Sequence, residues 1–128
     1  MQIDEFTRHY LIAAIWAGIE SGDQYTVEDF APEAIAEAVK DCGYFREEAG
    51  VLYRIACYGY DLTGASSHPD AGSADACAGH DFFLSRNGHG TGFWDRELGI
   101  FGQKLAEIAQ GYGENYVHVG EDGKIYFD

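Results

Sequence analysis

From Asp4 to about Ser21 the apolar residues Phe6, Tyr10, Leu11, Ala14, Ile15, Gly18 and Ile19 recur at intervals of three and four, the spacing of an α-helix. Ile12 and Trp16 fall off that stripe, so the helix is expected to be buried on two sides; the alternative is that Trp16 belongs to a contact surface. Ser21-Gly22-Asp23 ends it. A second helix is expected to start in Asp29–Pro32, with Pro32 in the first turn and Glu33 favouring the positive end of the helix dipole. Along it Ile35, Ala38, Val39, Cys42, Phe45, Ala49 and Leu52 share one face, while Glu33, Glu37, Asp41 and Glu48 gather on another.

The periodicity fades after Tyr58. The run DLTGASSHPDAGSADA, residues 61–76, is rich in Gly, Ser, Ala and Asp and reads as a long exposed loop, with His68 and Pro69 as turn material. Asp81–Arg86 is then expected as a strand, Asn87–Gly92 as a glycine-rich turn and Thr91–Trp94 as a second strand. Leu98, Phe101, Leu105, Ile108 and Ala109 mark a third helix ending at Gly111–Gly113. Tyr116–Val119 and Lys124–Phe127 flank Gly120-Glu-Asp-Gly123 as a final hairpin. The expected class is therefore α+β: two N-terminal helices, then a small antiparallel β-sheet of hairpins with an inserted third helix, in a single domain over residues 1–128.

Charge narrows the partners. There are 22 Asp and Glu against 8 Lys and Arg, a net charge of −14, and the excess is spread along the chain: residues 1–50 hold 11 acids and 3 bases. Such a surface repels phosphate backbones and anionic membranes and speeds encounter with basic proteins. Direct nucleic-acid binding and membrane binding are therefore not expected, whereas a partner that itself binds nucleic acid is allowed. Acidity that serves solubility alone is the competing reading. The three cysteines, Cys42, Cys57 and Cys77, show no CxxC or Cys/His spacing, which suggests neither a disulfide framework nor zinc and points to a reducing cytoplasm. The apolar stretch from Tyr10 to Ile19 is too short to span a bilayer and lacks a basic flank.

Two stretches carry candidate function. On the second helix Glu33, Glu37 and Asp41 stand about 6 Å apart along one face, close to the spacing of phosphates on a nucleic-acid strand. With Glu48, and secondarily Glu28 and Asp29, they form a candidate surface for a basic partner, and reversing Glu33, Glu37 and Asp41 to lysine is expected to leave the fold intact. An ordinary solvated helix face is the alternative. The second stretch is GHDFFLSRNGHGTGFWDR, Gly79–Arg96. His80, Asp81, His89 and Asp95 are metal-ligand types, but the two histidines lie nine residues apart without a fixed-spacing third. A hydrolase would need Ser85 or Cys77 as nucleophile, yet Ser85 sits in no nucleophile elbow; NGHGTG is followed by no lysine and no helix start, so it is a poor phosphate cradle. A structural account covers more of the segment, with Asn87 and the glycines forming the turn, Phe82, Phe83, Phe93 and Trp94 filling two faces of a hairpin, and Arg86 and Arg96 pairing with Asp81 and Asp95 across its strands. No cofactor is expected.

This segment resembles the hallmark, close to AGHDFWLTRNGHGAGFWDR, of a family of small acidic proteins encoded by bacteriophages and other bacterial mobile elements. The likeness continues through Leu98–Ala109 and the ending YGENYVHVGEDGKIY, with Phe83 where Trp is usual and Ser85 for Thr. The resemblance implies an accessory protein acting in a bacterial cytoplasm and transfers no catalytic residue. Together with the charge it leads to the expectation of a non-enzymatic inhibitor, anti-CRISPR or anti-restriction in type, that covers a basic nucleic-acid-binding surface of a host defence complex. The alternatives are a small enzyme or ligand-binding protein built on His80, Asp81, Arg86, Asn87, His89 and Asp95, and a phage regulatory or structural adaptor docking through Trp16 or Trp94.

Overall fold

In the computed structural model, which describes residues 2–20, 22–63, 73–88, 92–93 and 98–128, five α-helices precede one antiparallel hairpin. Helix α1 spans Glu5–Gly18, α2 Pro32–Ala49, α3 Val51–Thr63, α4 Ala74–Arg86 and α5 Ile100–Gln110; strands β1 and β2 are Val117–Val119 and Ile125–Phe127. The mixed helix-and-sheet class of the sequence reading holds, and so do α1, α5 and the final hairpin. The layout in between differs.

Local signals set the helix ends. Asp4 caps α1 by accepting a hydrogen bond from the Thr7 N–H at 2.8 Å. Thr26 and Asp29 form a capping box around a short 3₁₀ turn, Val27–Asp29, after which Pro32 opens α2 at a position where its missing N–H costs nothing. The expected long second helix is broken at Gly50, whose φ of 52° ends α2 and starts α3. Thus Leu52 belongs to the next helix. The buried side of α2 is Ala34, Ala38, Cys42, Phe45 and Ala49, with Val39 turned outward.

Two corrections follow the chain. Residues 61–63 extend α3, and 74–76 open α4 beneath a Ser73 cap that accepts from the Ala76 N–H at 3.1 Å, so the expected loop at 61–76 shrinks from both sides; His68 and Pro69 lie outside the described residues. Asp81–Arg86 is helical rather than a strand, so the first expected hairpin does not form there. The reason is position. Helix α4 runs through the middle of the molecule, packed chiefly on α1 and also on α3 and α5. From Ala76 to Asn87 every side chain but Leu84 is buried. A helix buried all round has no polar stripe to betray its period. Gly79 permits the α1 crossing, because a Cβ there would stand 1.9 Å from the Phe6 carbonyl oxygen.

The core is an aromatic stack at this crossing. Phe45 of α2 lies 4.1 Å from Phe82 of α4, centroid to centroid and nearly parallel, and 5.6 Å from Phe93; Tyr10 meets Phe82 at 5.2 Å. Trp16, expected to be buried, is 73% exposed. The C-terminal hairpin pairs Val117 with Phe127 and Val119 with Ile125. It is tied back to the start of α2, where the Ala31 N–H donates to the Ile125 carbonyl at 2.9 Å.

Candidate functional site

The Gly79–Arg96 segment divides by what its side chains hold. Arg86, at the end of α4, is almost fully buried and distributes its donors over three parts of the chain. Nη1 donates to the Asp41 carboxylate and to the Tyr10 hydroxyl, Nη2 to the Tyr112 carbonyl and Nε to the Gly113 carbonyl, each at 2.9 Å. Burial works against its charge, but Tyr10 and Asp41 outweigh that penalty and its pKa lies above the usual value. Asn87 continues the clasp: its Oδ1 accepts from the Asn115 N–H at 2.7 Å, and its carbonyl from the Tyr116 hydroxyl at 3.3 Å. These two residues therefore fasten residues 112–116 to the centre of the fold.

The cross-strand pairing expected of Arg86 gives way to Arg86–Asp41, because Asp81–Arg86 is a helix with no strand partner and its last residue turns to α2. Asp81 is fully buried and accepts from the Tyr60 hydroxyl of α3; His80 is buried beside it in sequence. Ser85 is buried and accepts from the Phe93 N–H at 3.0 Å. A Cβ on Gly92 would stand 2.1 Å from the Ser85 oxygen, so the bare glycine is what lets Gly92 and Phe93 lie against α4. Cys77 is buried in α4. His89, Trp94, Asp95 and Arg96 fall outside the described residues, as does the middle of NGHGTG. Among the described residues no three His, Cys, Asp or Glu side chains form a group able to hold a metal ion.

The acidic residues of α2 do share one face. At 100° per residue Glu33, Glu37, Lys40, Asp41, Tyr44, Glu47 and Glu48 fall within one arc, and Glu33 and Glu48 are separated by about 22 Å along the axis. All but Asp41 are exposed. The structure gives them unequal work. Asp41 is half-buried and spent on Arg86; Glu37 accepts from the Asn115 side chain at 3.1 Å, and Glu48 from the Tyr112 hydroxyl at 3.0 Å. Asp29 is occupied in the capping box, accepting from the Thr26 N–H at 2.7 Å, and Glu28 is exposed beside it. Reversal of Asp41 to lysine would therefore place a cation against the buried guanidinium, contrary to the expectation that it spares the fold.

Two concavities border this stripe. Near the N-terminal half a small cleft of about 120 Å³ is lined by Glu33, Ala34, Glu37, Tyr126 and Phe127. Near the C-terminal half a trough of about 500 Å³ opens between α2 and the end of α5, lined by Tyr44, Glu47, Glu48, Ile108, Gly111 and Tyr112. Burial and the neighbouring Glu48 carboxylate push the Tyr112 phenol up to about 12. The sequence reading missed Tyr44 and Glu47, although their positions three and fourteen residues beyond Asp41 and Glu33 put them on the same arc. It also missed Tyr112, whose place depends on the Arg86 clasp.

The chain matches no protein-family model, curated protein or solved structure. Among the described residues no helix is long and apolar enough to cross a membrane.

Proposed function

We propose that this is a phage or mobile-element accessory protein that acts by binding, laying the α2 stripe on a basic, nucleic-acid-binding surface of a host defence complex and blocking access to it. The observation that carries the reading is the stripe itself: Glu33, Glu37, Glu47 and Glu48 exposed along one helix face, with Lys40 the one cation among them. Their spacing of about 6 Å per helical step suits a surface shaped for phosphates, and a net charge of −14 steers such an encounter. The phage setting rests on the resemblance of the Gly79–Arg96 segment, and the bacterial cytoplasm follows from that setting. A catalytic use of that segment draws no support from Arg86, Asn87 and Ser85, whose polar groups hold the chain together.

The test is a nuclease-treated affinity capture from host lysate at low and high salt, with the wild-type protein beside a Glu33→Lys, Glu37→Lys, Glu47→Lys variant whose melting temperature is checked first. Capture of a nucleic-acid-binding protein at low salt, lost at high salt and lost in the variant, is the expected result. Equal capture by the variant refutes docking through α2.

A further inference from the structure

We infer that the trough between α2 and α5 is a receptor for an arginine side chain presented by a basic protein; this rests on the docking proposed above and names its anchor. Three independent features favour a cation there. Glu47 and Glu48 stand at the rim as carboxylates. Tyr44 offers a ring that is 55% exposed, and the face of an aromatic ring carries negative potential; Tyr112 already has the Arg86 guanidinium over its ring at 5.7 Å and contributes its hydroxyl. The trough also lies where two helices finish, α2 at Ala49 and α5 at Gln110, so the negative ends of both dipoles bear on it. Arg46, the basic residue of the last turn of α2, is drawn away to Asp4 at 2.8 Å; α5 has no base in its last turn, and Arg86 beyond it is buried and spent on the Tyr112 and Gly113 carbonyls and Asp41. None of the six lining residues is itself a cation.

The shape selects the form of the cation. At about 500 Å³, and open along one side, the trough admits a long side chain from a neighbouring surface rather than enclosing a free metabolite. A planar guanidinium can stack on a tyrosine face while its fork reaches a carboxylate, which a lysine ammonium cannot do at once. Glu48 is prepared for this, since the Tyr112 hydroxyl fixes one of its oxygens at 3.0 Å and leaves the other to accept. Gly111 presents no side chain at the trough, so its backbone does not obstruct an entering chain.

The experiment uses the whole protein, isotope-labelled, titrated with the peptide acetyl-Gly-Arg-Gly-amide and, separately, with its lysine and citrulline counterparts, following chemical shifts. Shifts confined to Tyr44, Glu47, Glu48, Ile108, Gly111 and Tyr112 are expected for the arginine peptide and none for the neutral citrulline isostere. Tyr44→Ala should weaken binding about two- to fivefold, and Glu47→Gln with Glu48→Gln at least as much. The glutamine at 48 still accepts from Tyr112 and Tyr44 is exposed, so both variants should fold. Glu20→Gln with Glu121→Gln, both exposed and neither in α2 nor in the trough lining, should leave the peptide's affinity unchanged. Shifts scattered over the acidic surface, or equal shifts with citrulline, overturn the inference. If they scatter while Glu33→Lys with Glu37→Lys, which leaves Glu47 in place, still abolishes partner capture, the trough is excluded and the docking reading survives; if they localise while that variant spares capture, the trough stands and docking along the rest of the stripe falls.

Discussion

Replacing Arg86 by methionine removes a cation that joins α1, α2 and the segment 112–113, while keeping an unbranched chain of comparable length in its place. Four hydrogen bonds at 2.9 Å are lost. Their acceptors do not suffer equally. The Gly113 and Tyr112 carbonyls lie in residues that are exposed and half-exposed, so water can replace the arginine there, and the Asp41 side chain retains 23% of its exposure. The Tyr10 hydroxyl is buried and has no such recourse. Breaking a largely buried ion pair from one side costs about 3–5 kcal/mol, and the partial access of three acceptors puts this case toward the lower end. A chain of 128 residues is stable by roughly 6–19 kcal/mol in all. With a urea slope near 2 kcal/mol per molar, the unfolding midpoint should fall by about 1.5–2 M. Asp41→Asn, which keeps an acceptor and loses the charge, should cost about 1–2 kcal/mol, and the double variant should reveal a coupling of about 1–3 kcal/mol. Hydrogen exchange should show residues 112–116 losing protection before the helices do. A loss below about 1 kcal/mol for Arg86→Met, with coupling within about 0.5 kcal/mol of zero, would show that the clasp does not hold the fold.

Gly79→Ala should be worse than its size suggests, costing about 3 kcal/mol or more in a urea titration, because α1 must move off α4 to admit the new Cβ; a near-neutral result would refute the tight crossing. Trp16→Ala should leave stability within about 0.5 kcal/mol, since the side chain stands mostly in water, and a larger loss would mean that the ring is part of the core. Tyr112 should ionise near pH 12 by ultraviolet titration and return toward 10 in Glu48→Gln; because its folded pKa is raised, its contribution to stability is whole below pH 10 and disappears as the pH rises toward 12. Asp4 has the opposite sign. Burial opposes its charge, but the Thr7 N–H and Arg46 prevail and hold its pKa below the ordinary 3.8, so Asp4→Ala should cost about 1 kcal/mol at pH 7 and progressively less as the pH falls below that value. A cost that persists unchanged in acid would dismiss the carboxylate as the cause.

The helices with a wet side were legible in the sequence. In α1 and α5 the apolar residues recur with the helical period, and in the final hairpin Gly120 and Gly123 bracket two alternating runs; Gly123 indeed adopts φ 80°. Helix α4 was not legible, because Phe82-Phe83 between glycine and serine imitates a short buried strand when no polar face contradicts it. The acidic arc of α2 could be drawn from spacing alone. What spacing could not reveal was that Asp41 belongs to Arg86, 45 residues away, or that Tyr112 would form one wall of the trough. Both depend on tertiary closure rather than on any local pattern.

The clasp also bears on how the chain closes as it leaves the ribosome. Arg86 reaches back 76 residues to Tyr10 and forward to Gly113, and Ala31 waits for Ile125. Helices α1 to α4, with the Phe6, Tyr10, Phe45 and Phe82 rings that meet between them, are synthesised before the strands and carbonyls that close them. Contacts of such span leave the closing step until after the hairpin has emerged. Until that moment the aromatic stack lacks Tyr112, whose ring meets Phe45 and Phe82 edge-on. A chain cut short before residue 112 would leave Arg86 without two of its four acceptors and Ala31 without the Ile125 carbonyl.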